Sequence, residues 1–210
     1  MMPIVVVPGS AVSRVEPFLA AVGWQSAAVE EGDATAKAAL SLARSGRPVL
    51  FAPAGIDLRT PLRRILVVHG GTRGDRPGID AADEAAVASG AEVIVLHVPS
   101  PVPSRTSASL PYRISDHGTY DWEEWRDEFL RRFCRCSEGV EVSLLVGAAS
   151  ATGLREQLRD EHADLVITSI TRRPEPGVDA AREAVFDVAT PVLMVPSLGH
   201  DRRGREARRP

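Results

Sequence analysis

The sequence predicts an α/β protein whose main domain is a doubly wound, Rossmann-like, five-stranded parallel sheet. Three observations lead there: strand-length apolar runs recur along the chain, they are continuous instead of alternating, and segments with helical periodicity separate them. A continuous apolar run suits a strand buried on both faces. Regular alternation of such strands with helices is the order of an α/β domain.

Residues 1 to 60 form a small unit of their own. It holds a strand at Ile4 to Val7, a helix carrying Val12, Val15, Phe18, Leu19 and Val22, a short strand near Ala27 to Val29, a helix at Ala34 to Arg44 and a strand at Val49 to Phe51. Three short strands and two helices are marginal alone, so this unit is expected to pack on the main domain.

From about residue 62 the order reads βαβαβαβαβ. The strands are Ile65 to Val68, Val93 to Val98, Val140 to Val146, Leu165 to Ile170 and Val192 to Val195, and right-handed crossovers between them give the doubly wound topology. Helices are expected at Ile79 to Ser89, at Ala151 to Ala163 with Ser150 as N-cap, and at Val178 to Val188. The strongest helical signal runs from Tyr120 to Cys136, where Trp122, Trp125, Phe129 and Phe133 fall on one face. Its acids come first and its arginines last, as the helix dipole favours. The aromatic stripe reads as core or dimer packing in preference to a base-stacking platform, because its helix neighbours are acidic as often as basic. Pro99 to His117, with four prolines, reads as a long surface loop.

Composition narrows the function classes. With 210 residues, 44% hydrophobic and 25% charged, the chain is an ordinary globular protein, and no apolar run reaches the roughly 18 residues of a membrane helix. The start lacks a secretory pattern, and two cysteines one residue apart make no disulfide framework. A cytoplasmic protein is expected. The net charge of −3 gives no reason to expect nucleic-acid binding. Residues 198 to 210 carry five arginines and read as a disordered basic tail, secondarily as an electrostatic tether.

Candidate chemistry is sparse. His69, followed by two glycines at the end of a central strand, lies at the expected switch point of the sheet, where it offers a proton acceptor or an anion contact. It has no recognisable catalytic partner, and the plainer reading is a loop residue with one backbone hydrogen bond. His97 reads as a satisfied core or edge histidine. Cys134 and Cys136 on a helix point about 200° apart and cannot converge on a metal, so no metal site is expected. A dinucleotide glycine fingerprint is absent after Val7. Pro48-Val49-Leu50 and Pro191-Val192-Leu193 echo each other weakly, each after a helix.

The run Arg64-Ile-Leu-Val-Val-His-Gly-Gly71, the Ala-rich helix ending Ala88-Ser-Gly-Ala91, and Glu92-Val-Ile-Val-Leu-His-Val98 resemble the opening βαβ unit of the universal stress proteins. Val146-Gly147, Ala163-Asp164-Leu165-Val166-Ile167 and Pro191 to Pro196 resemble that family's later elements, so the similarity covers about residues 62 to 197. Tandem repeats are frequent in the family, and residues 1 to 60 look like the shortened end of a first repeat. An unrelated α/β extension is the alternative.

Many members bind ATP with a carboxylate after the first strand and a glycine-rich phosphate loop after the fourth. Here His69 stands in the acidic position, Gly70 matches, and Gly71 replaces a usual serine. Ser169 and Arg172 fall at glycine positions, and Gly177 is followed by Val178 and Asp179. Prolines remove amide donors from the loop. The resemblance therefore implies a regulatory or stress-response protein, not an enzyme, that has lost the usual ATP site, needs no cofactor, and acts as a homodimer through its terminal strand, with a protein partner or small ligand. One alternative is an ATP or AMP sensor with an altered pocket of His69, Gly70, Gly71, Val98, Ser169, Thr171, Arg172, Arg173 and Gly177. A lesser alternative is a hydrolase of adenylated or phosphorylated small molecules using His69.

Overall fold

The computed structural model describes residues 3–8, 15–29, 36–52, 61–98, 122–147, 151–171, 184–186 and 189–197. Its strands are β1 (Pro3–Pro8), β2 (Gln25–Val29), β3 (Val49–Ala52), β4 (Arg64–His69), β5 (Glu92–His97), β6 (Val142–Val146), β7 (Leu165–Ile170) and β8 (Val192–Pro196). The helices are α1 (Val15–Ala21), α2 (Ala36–Arg44), α3 (Arg76–Ser89), α4 (Trp122–Phe133) and α5 (Ala151–Asp160). The loop expected at Pro99 to His117, most of the helix expected at Val178 to Val188, the Ser150 cap and the basic tail lie outside the described residues.

The five strands expected from residue 62 onward form a parallel sheet in the order β8-β7-β4-β5-β6. Their continuous apolar runs have the anticipated cause. In β4, Ile65 and Val67 belong to one buried cluster with Ile79 of α3 and Phe129 of α4, while Leu66 and Val68 belong to a second with Leu154 and Leu158 of α5. Each strand therefore needs apolar side chains on both faces. Helix α3 fits closely because its buried positions other than Ile79 are small: Gly78, Ala81, Ala82, Ala85 and Ala86. It ends at Gly90, whose φ of 72° is the left-handed conformation that closes a helix.

The N-terminal unit does more than pack on this domain: it extends the sheet. β2, β1 and β3 are mutually parallel, and β3 joins β8 in antiparallel register, giving eight strands in the order β2-β1-β3-β8-β7-β4-β5-β6. The pairing places Val49 opposite Met194, Leu50 opposite Leu193 and Phe51 opposite Val192. The two Pro-Val-Leu segments that echo each other in sequence thus meet about a local two-fold through Leu50 and Leu193. This corrects the expectation of a dimer built through the terminal strand, since the outer edge of β8 already carries β3.

Leu50 and Leu193 are fully buried in the same cluster, together with Ile4, Phe18 and Trp24 of the N-terminal unit. Leu50→Ala is expected to lower stability by about 2–5 kcal/mol, the cost of a large-to-small core change. Urea unfolding followed by circular dichroism checks this, and a cost below about 1 kcal/mol would mean that the junction is not packed as described.

Candidate functional site

The carboxyl ends of β4 and β7 meet the start of α3 through the loop His69-Gly70-Gly71-Thr72 and a single 3-10 turn, Arg73–Asp75. Asp75 organises this loop. Its Oδ2 accepts hydrogen bonds from the Gly70 amide at 3.1 Å, the Thr72 amide at 3.1 Å and the Thr72 hydroxyl at 2.9 Å. The residue is only 2% exposed, and a carboxylate there requires such donors. From β7, the buried Ser169 hydroxyl donates to the Asp75 carbonyl at 3.0 Å and accepts from the Gly78 amide at 2.9 Å. A Cβ on Gly78 would lie 2.8 Å from that hydroxyl oxygen, so only glycine allows α3 to approach β7 this closely.

His69 is fully buried. Its Nδ1 accepts the Gly71 amide at 2.9 Å, which fixes the neutral ring with its proton on Nε2. That Nε2 has no hydrogen-bond partner among the described residues. The ring instead packs edge-on against Phe129 and Phe133 of α4, at centroid distances of 5.2 and 5.5 Å. Burial lowers its pKa, opposed in part by the Asp75 carboxylate 3.7 Å from Nδ1. His97, at the equivalent end of β5, packs on Trp125 and Phe129, and its Nδ1 lies 3.2 Å from the His69 carbonyl. Burial is the main cause that brings its pKa down to about 4, with His69 adding to the effect. Two neutral imidazoles therefore sit under the aromatic face of α4.

The sequence expectations divide accordingly. The structure brings His69, Gly70, Gly71, Val98 and Ser169 together, with the Val98 amide donating to the His69 carbonyl at 2.9 Å. Thr171 follows the end of β7 and is half-buried, while Arg172, Arg173 and Gly177 lie outside the described residues. The reading of His69 as a loop residue with one backbone hydrogen bond meets that bond in the Gly71 amide and is corrected in its setting: His69 ends β4, and α4 seals it from solvent. The aromatic stripe is core for Trp125, Phe129 and Phe133, leaving Trp122 38% exposed. Burial raises the Cys134 and Cys136 thiols to about 12 and about 11, so both are protonated near neutral pH. Among the described residues no group of His, Cys, Asp or Glu is arranged to hold a metal.

Asp75 is the residue that the sequence reading missed. Its signal was the Thr72-x-x-Asp75 spacing just before a helix that opens with Pro77, the pattern of a capping box.

Residues 61–196 match the universal stress protein family. The chain belongs to this family. Among solved structures, a universal stress protein from Archaeoglobus fulgidus DSM 4304 is 13% identical with a TM-score of 0.52, and the match covers 79% of this chain but 58% of that one. This universal stress protein thus spans less than two thirds of that relative's length. A family protein from Burkholderia pseudomallei is 21% identical over 66% of this chain and 98% of its own, with a TM-score of 0.43. Another from Archaeoglobus fulgidus, solved in complex with dAMP, is 19% identical over 63% of this chain and 97% of its own, at a TM-score of 0.39. No curated protein matches the chain. No helix among the described residues is long and apolar enough to cross a membrane.

The histidines give this end of the molecule a pH dependence of definite sign. Because the folded pKa of His97 lies below the ordinary 6.5, the unfolded chain takes up the proton first. Its contribution to stability is complete above pH 6.5 and is lost as pH falls towards 4, by about 3 kcal/mol in total. Urea midpoints across this range should fall with acid more steeply in the wild type than in His97→Phe; equal slopes would contradict the assignment. Gly71, at φ 78° and with a would-be Cβ 2.8 Å from His97 Cε1, should not tolerate alanine. Gly71→Ala is expected to cost about 1–3 kcal/mol by the same assay.

Proposed function

We propose that this universal stress protein works without a bound nucleotide. In this reading it is not an enzyme, and it acts in the cytoplasm as a homodimeric regulatory protein that contacts a protein partner or small ligand. The observation that carries the proposal is the state of the loop after β4. Its Gly70 and Thr72 amides already face the Asp75 carboxylate, so an anionic ligand there would have to displace a buried internal anion. The Ser169 hydroxyl is likewise engaged at both its donor and acceptor positions. The dry position of His69 under Phe129 and Phe133 speaks against hydrolysis by that ring.

Residues 1 to 60 enter the same proposal as the remaining end of a first repeat. The local two-fold relating the Pro-Val-Leu segments across β3 and β8 supports this. In that role they close the edge of β8 from within the chain.

Calorimetric titration of nucleotide-free protein with ATP and with AMP, each with magnesium, tests the proposal. No binding heat is expected up to about 1 mM ligand. A dissociation constant below about 100 μM, roughly −5.5 kcal/mol, would contradict it and favour an altered nucleotide pocket.

A further inference from the structure

We propose that α4 is an acid-released lid: protonation of His69 and His97 lifts this helix from the sheet while the strands beneath it stay paired. Phe129 is the reason the two histidines act together. Its ring lies 5.2 Å from the His69 ring and 4.9 Å from the His97 ring, centroid to centroid. Phe133 also touches His69, at 5.5 Å, and Trp125 also touches His97, at 5.8 Å. With both imidazoles neutral, this face of α4 closes the apolar cluster that also holds Val95 and Leu144. With them charged, two cations would lie buried under one phenyl ring, and moving the helix is what returns them to water. The open form presents Trp125, Phe129 and Phe133 to solvent together with the ends of β4 and β5.

The attachments of α4 suit a hinged element. Arg126 pairs with Asp127, and Arg131 pairs with Glu128 and donates to the Asp127 carbonyl, so these charges travel with the helix. The helix ends at Phe133. Just beyond it the Ser137 amide and hydroxyl donate to the Asp83 carboxylate of α3 at 2.7 and 2.8 Å, a tether at the C-terminal end, while the face over the histidines is held by ring contacts. The charges around the imidazoles set the direction of the response. From the loop before α3, the Asp75 carboxylate stands 3.7 Å from His69 Nδ1 and favours the cation, but Gly70 and Thr72 already engage it. From α4, the Arg132 guanidinium lies 5.4 Å from the centroid of Phe133, a further cation against the ring that covers His69, and the Cys134 thiol beyond it stays protonated. From β4, His69 opposes a charge on His97. Burial is the largest influence on both rings and disfavours their charged forms while the lid is closed. The folded pKa of His97 is lowered, so the helix is held above pH 6.5 and released as pH falls towards 4.

Amide hydrogen exchange of the full chain, followed residue by residue by NMR between about pH 7.5 and 5 and corrected for intrinsic rates, is the test. A lifted helix of 12 residues is marginal in water and exchanges readily. Amides of α4 are therefore expected to be less protected than those of β4 and β7 at each pH, as a helix that opens by itself requires. With the His97 pKa at about 4 against 6.5, their protection should fall about 25-fold across this range, and His69 adds to the fall. His97→Gln and His97→Phe, one polar and one apolar and neither able to take up a proton, should each lose most of that fall. Equal protection of α4 and the strands would mean that the helix leaves the sheet only on global unfolding, and would overturn the lid. Protection of α4 that does not change with pH, or a fall as large in the two variants as in the wild type, would overturn it as well.

Discussion

The end of the molecule where ligands are met in doubly wound folds depends on one buried carboxylate. Oδ2 of Asp75 gathers the amides of Gly70 and Thr72 and the Thr72 hydroxyl. A carboxylate taken out of water is costly unless donors surround it, and loop amides taken out of water are costly unless an acceptor faces them. Each satisfies the other. The arrangement uses the same physics by which glycine-rich turns before a helix hold phosphate, with the anion supplied by the chain itself. Ser169 then fastens β7 to the same turn through the Asp75 carbonyl and the Gly78 amide.

What lies beside this knot follows from it. With the Gly71 amide donated to His69 Nδ1, the imidazole is held as one neutral tautomer and can be covered by apolar rings. Phe129 and Phe133 cover it, while Trp125 and Phe129 cover His97. The aromatic stripe of α4 thus serves the site by keeping it dry. At the far side of the sheet, β3 closes β8 in a comparable way, by satisfying an edge from within the chain. Both features satisfy backbone groups from within the chain. Among the described residues β6 is the other edge of the five-stranded core.

Much of this was legible in the sequence. The strands announced themselves because burial on both faces demands uninterrupted apolar residues, as in Val93 to Leu96, where all four positions are buried. Helix α4 was legible from its aromatic spacing and ordered charges, and the family from short motifs in a fixed order. His69 does end β4, but its burial was not legible. Whether His69 faces solvent depends on where a helix more than fifty residues further along comes to rest, and one-dimensional spacing carries no such information. Asp75 was missed because a turn acid looks like ordinary capping until its burial is known. The closure of β8 by β3 is likewise a long-range pairing, foreshadowed only by the repeated Pro-Val-Leu.

The central claim is that the crevice at the end of β4 is filled from within. Nitrogen-detected NMR of the His69 ring tests it most directly, because tautomer and titration both report on the sealed loop. The account predicts a neutral ring protonated at Nε2 that takes up its proton only below its ordinary range, because burial disfavours the charged form, and that is unaffected by added AMP or inorganic phosphate. A ring that titrates near its ordinary 6.5, or that shifts on adding either anion, would show that the loop opens to solvent and would contradict the account.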